Sequence, residues 1–426
     1  MIFLLKKVYY PAKMHENLSS IADVYALEIL DSRGNPTIEV SVTLENGITA
    51  TGIAPSGAST GAKEAFELRD GDKYYYNGKG VLKAVEFVNT EINNALNGIE
   101  IEDEIDGILC EIDGTKNKSR IGANAILATS IACWKAAAEN AGLPLFEYIG
   151  GKNATVLPTP MMNIINGGKH ASNSLAIQEF MIIPHAFETF SEKLRAGTEI
   201  FHTLKSVLHS RGHSTAVGDE GGFAPNFTTS KEALDCIMQA IEKAGYKPYD
   251  QITIALDAAA SEFFSNNYYN IDGSNYSADF LIEYYSKLVS SYPITSIEDP
   301  FHEDDIPAFK KFTAQFGNKL QIVGDDLFCT NPKIIREGIN ERYANALLVK
   351  PNQIGTITET LEAVKIAQGA GMKCVMSHRS GESEDVTIAH LAVATNCGQI
   401  KTGAPSRVDR TAKYNELLRI EKYLGY

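Results

Sequence analysis

The chain has 426 residues, 44% of them hydrophobic and 22% charged, as in a soluble globular protein large enough for two domains, since single cores stop growing near ~250–300 residues. Its 53 acidic and 39 basic residues leave a net charge of -14, which repels phosphate backbones and anionic lipid, so no nucleic acid or membrane partner is expected. An anionic substrate would have to find positive charge in a few basic side chains or in metal. The six cysteines are scattered with no C-x-x-C pair, which suits reduced core residues and a cytoplasmic location. No run approaches the ~18 apolar residues of a membrane span. "MIFLL" is shorter than the ~7–15 residues of a signal core, and its lysines follow rather than precede it.

In chain order, residues 1–22 carry little pattern and are expected to form a poorly ordered extension, with Met14 as an alternative start. From Tyr25, strand-like runs broken by "SRGNP" and "ENG" predict antiparallel strands. "GVLKAVEFVNTEINNAL" and "GANAILATSIACWKAAAENAG" have helical spacing, the second stopping at Gly142 before Pro144. Residues 23–156 therefore read as a small α+β capping domain, with a boundary in the Gly/Asn/Pro cluster "GGKNATVLPTP".

Over 157–426 short β-rich runs alternate with longer segments of helical period. The runs share polar residues at or near their ends: Glu179, Asp257, Glu298, Asp325, Lys350, His378 and Lys401. From Asp257 onward the gaps are 41, 27, 25, 28 and 23 residues, and all but the first are close to the ~31 residues of one strand–helix unit in a (β/α)₈ barrel. The long gap holds "SNNYYNIDGSNYS", read as a loop-like insert. The C-terminal strand ends of such a barrel converge on one mouth, where its site lies.

Asp257, Glu298 and Asp325 would then gather three carboxylates that repel one another unless a hard divalent cation such as Mg²⁺ holds them. The bland alternative is that one or another caps the helix that follows. Lys350 ends "ALLVK" immediately before Pro351. Alone it would be read as snorkelling to water, but beside Lys401 its pKa is expected to fall toward ~7–8, where it can serve as a base. Arg379 suits bidentate binding of phosphate or carboxylate. Glu220 lies in the glycine-rich "GDEGGFAPN", and Ser59 in "PSGASTG", which by composition reads as a solvated turn. "HSRGH" has zinc-like spacing but reads as a helix C-terminus, because Gly212 interrupts it.

From Tyr25 to the C-terminus the blocks "LDSRGNPTIEV", "PSGASTG", "NIINGGKHA", "IQEFMIIP", "GDEGGFAPN", "SIEDPF", "VGDDLF", "KPNQIGT", "SHRSGESED" and "QIKTGAP" occur in order. In this the chain resembles the enolase family. The resemblance implies a small α+β cap on a modified (β/α)₈ barrel whose early strands depart from strict alternation. It implies reversible dehydration of 2-phosphoglycerate to phosphoenolpyruvate with two Mg²⁺ ions per site, the structural one held by Asp257, Glu298 and Asp325. Lys350 would take the C2 proton, and Glu220 with Glu179 would help the C3 hydroxyl leave. Lys401 would contact the substrate carboxylate, and Arg379 and Ser380 its phosphate. His170, Gln178 and His378 would line the pocket, and Ser59 would help hold the second metal. A homodimer, or a ring of dimers, would be the assembly. Another superfamily reaction and a non-catalytic scaffold are the competing readings. His390 stands where the family usually has aspartate, a departure expected to touch local packing or surface charge rather than mechanism.

Overall fold

The computed structural model describes residues 18–58, 60–102 and 104–426. The expected extension lies outside the described residues up to residue 17. The first strand, β1 (Ile21–Leu30), starts two residues before the expected cap boundary, with Ile21 donating its N–H to Ile99 O at 2.8 Å. It pairs antiparallel with β2 (Pro36–Leu44), and β2 with β3 (Thr49–Ile53). The turn between β1 and β2 is the predicted "SRGNP": Asp31 Oδ1 accepts from the N–H groups of Arg33 and Asn35, each at 2.8 Å, and Gly34 takes φ +72.

Along β2, buried Ile38, Val40, Val42 and Leu44 alternate with half-buried Glu39, Ser41 and Thr43, the period of a sheet with one covered face. The helix Ala123–Asn140 covers it so closely that a Cβ on Gly52 would lie 2.3 Å from Ala128 O. That helix ends at Gly142, φ +69, as its sequence predicts. The first predicted cap helix forms over 82–96 but contains a π turn at Val88–Ile92. Asn89 and Asn93 there turn back to accept from the N–H groups of Ala26 and Val24 at 2.6 and 3.0 Å.

The barrel runs through β4 (Thr159–Asn166), β5 (Glu179–Pro184) and β6 (Ile252–Asp257). A small sheet of β7 (Phe264–Ser265), β8 (Tyr268–Ile271) and β9 (Ser274–Tyr276) then intervenes. The ring continues through β10 (Ile294–Glu298), β11 (Gln321–Gly324), β12 (Ala346–Val349), β13 (Lys373–Ser377) and β14 (Gly398–Lys401), which closes onto β4. β5 is antiparallel to both neighbours, and every other pair in the ring is parallel. After β5 two helices, Phe190–Ser210 and Ser230–Lys243, follow in succession, each opened by a capping box, from Thr189 to Glu192 and from Thr229 to Glu232. Met161, Met181, Ile183, Ala255, Val323, Ala346, Leu348 and Val375 fill the barrel axis. The ring is thus a packed core, and the site is confined to its rim.

Two expectations need correcting. "SNNYYNIDGSNYS" is a three-stranded antiparallel sheet rather than a loop, turned by Asn266 and Asn267 (φ 52 and 63) and by Asp272 and Gly273 (φ 49 and 74). Paired left-handed residues are the signature of a tight hairpin turn. Glu179, grouped above with the strand ends, instead begins the reversed strand β5. "HSRGH" does lie at a helix end: the helix stops at Ser210, Gly212 takes φ +76, and the His213 ring packs edge-on against Phe227.

His390 is on the helix Thr387–Ala394, stacked on Phe146 and 3.3 Å from Glu416 Oε1. The hydrogen bond from His390 is the main cause that lowers the Glu416 pKa to about 2. The stability this supplies is present above the ordinary glutamate range and lost as pH falls toward 2. Urea midpoints measured across that interval should show a shallower acid loss in His390→Leu than in the parent. Separately, Gly52→Ala should lower stability by about 1–3 kcal/mol through overpacking, read as an earlier urea midpoint with unchanged slope.

Candidate active site

The parallel strands deliver their side chains to one rim. β6 ends on Asp257, β10 on Glu298 and β14 on Lys401, while Asp325 follows β11 and Lys350 follows β12. The register sets Asp257 opposite Glu298 on one side and opposite Glu179 on the other. Reversal of β5 brings Glu179 to this rim from the start of its strand. Pro351 opens a helical turn and stops β12, so Lys350 sits at the corner, its N–H donating to Thr330 Oγ1 at 2.9 Å.

Lys401, only 2% exposed, binds three acids: Nζ lies 2.7 Å from Glu298 Oε1, 2.8 Å from Asp257 Oδ2 and 3.2 Å from Glu179 Oε1. Burial works against its charge, but these carboxylates outweigh it and hold the pKa well above the lysine norm. Lys350 donates to Asp325 Oδ2, and Gln353 Nε2 donates to Asp325 Oδ1 at 2.8 Å. The expected fall in the Lys350 pKa is not found. Burial, Arg379 and Lys401 lower it, yet Asp325 raises it enough that the net shift is upward. The contact carboxylate outweighs the more distant cation.

Beside them His170 Nδ1 lies 3.5 Å from both Glu179 Oε1 and Glu220 Oε1. Glu220 Oε2 also receives Asn163 Nδ2 at 3.1 Å and faces His378 Nε2 at 3.2 Å. Arg410 Nη1 donates to His378 Nδ1 at 2.6 Å, which leaves the imidazole proton on Nε2, toward Glu220. Burial, with Arg410 nearby, lowers the His378 pKa to about 3, so the ring is neutral. The two acids are driven apart. Burial and the charge of Glu220 push Glu179 well up. Burial alone would raise Glu220 too, but its imidazole and arginine neighbours pull it well down. The two carboxyls thus differ in proton affinity, as suits an acid–base pair.

Gln178 donates its N–H to Asp257 O at 3.0 Å, and its side chain reaches Asp257 Oδ2 at 3.5 Å. Ser380 Oγ accepts from Ala58 N–H at 2.6 Å, and Arg379 Nη1 and Nη2 meet Glu64 Oε2 and Oε1 at 2.9 and 3.2 Å. Lys350, Lys401, Glu179, Glu220, Asp257, His170, Gln178, His378, Arg379 and Ser380 line one small chamber. Ser59 lies outside the described residues.

Sequence reasoning missed four residues. Asp299, next to Glu298 and at φ 39, accepts from the N–H groups of Asp325 and Asp326 at 2.9 and 2.8 Å and so fixes the loop after β11. The doubled acids in "IED" and "GDD" were its only signal. Asp326 lies beside it, its pKa raised to about 8 by burial and by Asp325. Arg410, fully buried, ties down the 378–380 segment through Arg379 O and Ser380 O, each at 2.6 Å. It and Glu64 carried no sequence signal, because tertiary approach alone brings them in.

Asp257, Glu298 and Asp325 stand at the tips of three consecutive strands of the ring, an all-oxygen set suited to a hard cation. Buried Glu298 Oε2 has no hydrogen-bond partner among the described residues. Burial and neighbouring acids push Glu298 and Asp299 well up, as expected where positive charge is short. These residues fit a divalent metal. Among the described residues, the acid and imidazole sets whose ligand atoms already converge within 4.8 Å are His170–Glu179–Glu220 and Asp299–Asp325–Asp326. In the predicted triad, lysine ammonium groups take the carboxylate oxygens instead.

Fold and site together define a barrel enzyme with a metal-competent acid cluster beside buried lysines. The chain matches the family model described as Enolase, N-terminal domain, over residues 21–149, and that described as Enolase, C-terminal TIM barrel domain, over 154–426. It belongs to the enolase superfamily and is a lyase-type, metal-dependent enzyme acting on a small molecule.

Because protons and lysine ammonium groups compete with metal for the acids, divalent cation should bind more tightly as pH rises. Adding Mg²⁺ at about 100 times its Kd should stabilise the fold by about 2.7 kcal/mol. A melting temperature unchanged by Mg²⁺ and by EDTA would count against the metal site.

Proposed function

We propose that this enzyme interconverts 2-phosphoglycerate and phosphoenolpyruvate with Mg²⁺, in the cytoplasm. The observation that carries the reading is a lysine corner and a split carboxyl pair sharing one buried chamber with Arg379 and Ser380. The lysine side suits removal of a proton α to a carboxylate, and the acid pair suits departure of a hydroxyl. Arg379 and Ser380 favour a phosphorylated substrate over the other acids of the superfamily.

Asp257, Glu298 and Asp325 would hold one Mg²⁺, and Ser59 would help hold a second. When bound, the metal supplies the positive charge that offsets these carboxylates and stabilises charge developing on the substrate carboxylate. Lys350 Nζ takes the C2 proton, for which it must first lose the proton that Asp325 helps it keep. Lys401 remains charged and orients the substrate carboxylate. The C3 hydroxyl departs as water with a proton from the Glu179–Glu220 pair, so the substrate loses one water in all. His378, neutral and aimed by Arg410, steadies Glu220. His170 spans both acids, and Gln178 braces Asp257.

Lys350→Ala should lose at least the ~10²–10⁴-fold of a general base while still binding Mg²⁺ and substrate. Turnover is followed by the absorbance of the enol phosphate, with EDTA as control. Near-normal turnover would refute the assignment. Glu220→Gln should still exchange the C2 proton with solvent, read by deuterium incorporation, yet fail to dehydrate. Loss of both activities together would contradict the division of roles. The family's dimer, or ring of dimers, is checked by light scattering.

A further inference from the structure

Arg379 is buried, 3% exposed, and its guanidinium is already taken. Both oxygens of Glu64 meet its two terminal nitrogens, and Asn352 Oδ1 accepts from Nη1 at 3.0 Å. The Glu64 side chain is itself only 8% exposed and is held in place by Gly61 N–H at 2.9 Å and Gln353 Nε2 at 3.3 Å. This pair stands on a partition. Arg379 and Gly57 line both an inner chamber of about 20 Å³ and an outer cavity of about 440 Å³, and Glu64 lines the outer one. The inner space holds about one water, so a substrate must rearrange the contacts that fill it.

We propose that Glu64 sets the affinity of the phosphate pocket: its carboxylate occupies Arg379 in the free enzyme and must be displaced by the substrate's phosphate. The proposal rests on the phosphate-binding role given above to Arg379. A buried guanidinium needs a counter-charge in every state, since removing its partner leaves an uncompensated charge out of water. Glu64 supplies one negative charge, whereas a phosphate monoester carries nearly two at neutral pH. A phosphate dianion has the charge to replace it, while the exchange lowers the apparent affinity of every anion by the same factor, because the same pair must open for each.

The test is Glu64→Gln in the full chain with Mg²⁺. Removing the free-state partner of Arg379 should lower KM for 2-phosphoglycerate and strengthen inhibition by inorganic phosphate, each on the order of tenfold, with kcat changed less. Nitrate, a monoanion, should gain as an inhibitor by about the same factor as phosphate, because the same carboxylate has to leave for either anion. A raised KM with weaker phosphate inhibition would show instead that Glu64 orients Arg379, and unchanged values would show that it does neither. Either result overturns the proposal. If the glutamine variant does not fold, Glu64→Asp, which withdraws the carboxylate by one methylene, should shift phosphate inhibition in the same direction by a smaller factor. Phosphate binding followed by calorimetry does not depend on turnover. If the parent binds phosphate but leaves 2-phosphoglycerate unchanged, the assigned reaction fails while the role of Glu64 is still decided.

Discussion

Everything at this rim depends on one constraint: charge withdrawn from water must find opposite charge nearby. The free enzyme meets it with its own side chains. Lys401 is held by three acids, Lys350 by Asp325 and Arg379 by Glu64. Burial and neighbouring acids push Glu179, Glu298 and Asp299 up where cations run out. Metal and substrate then enter a site that is already neutralised and exchange its partners one for another. Lys350 shows the result most clearly, since its proton is secure while Asp325 is its nearest neighbour.

The scaffold serves that arrangement by fixing where each charge leaves the backbone. Parallel pairing puts Asp257, Glu298, Asp325, Lys350 and Lys401 at strand tips around one rim, and their strands are locked by an apolar axis. A second layer fixes the loops. Asp299 gathers two N–H groups at the base of the 325–326 turn, and Arg410 spans the backbone from Arg379 to Ser380 and Asp219. A side chain whose backbone and neighbours are both held loses little freedom when it meets its ligand.

The architecture was legible because barrel strands are apolar except at their rims, so "ITIALD", "ITSIED" and "ALLVK" announce both strand and site. Other features were not. The run around Glu179 reads alike in either direction, so its polarity could not reveal that β5 is reversed. The insert after β6 carried Asn-Asn and Asp-Gly turn signals, but its aromatic, asparagine-rich composition was read as loop. The protonation of Lys350 could not be ranked from sequence, because it turns on whether Asp325 or Lys401 comes closer. Glu64 lies more than 300 residues from Arg379 in the chain, and nothing local marks the pairing.

The reversed strand has a consequence for tolerance to insertion. Most rim acids are reached after a strand has been laid down, so a change of loop length beyond them leaves their anchorage intact. Glu179 is reached first, at the exit of the 167–178 loop. An added or deleted residue that slid β5 by one place would swing this carboxyl to the opposite face of the sheet. That loop therefore has little freedom to vary in length.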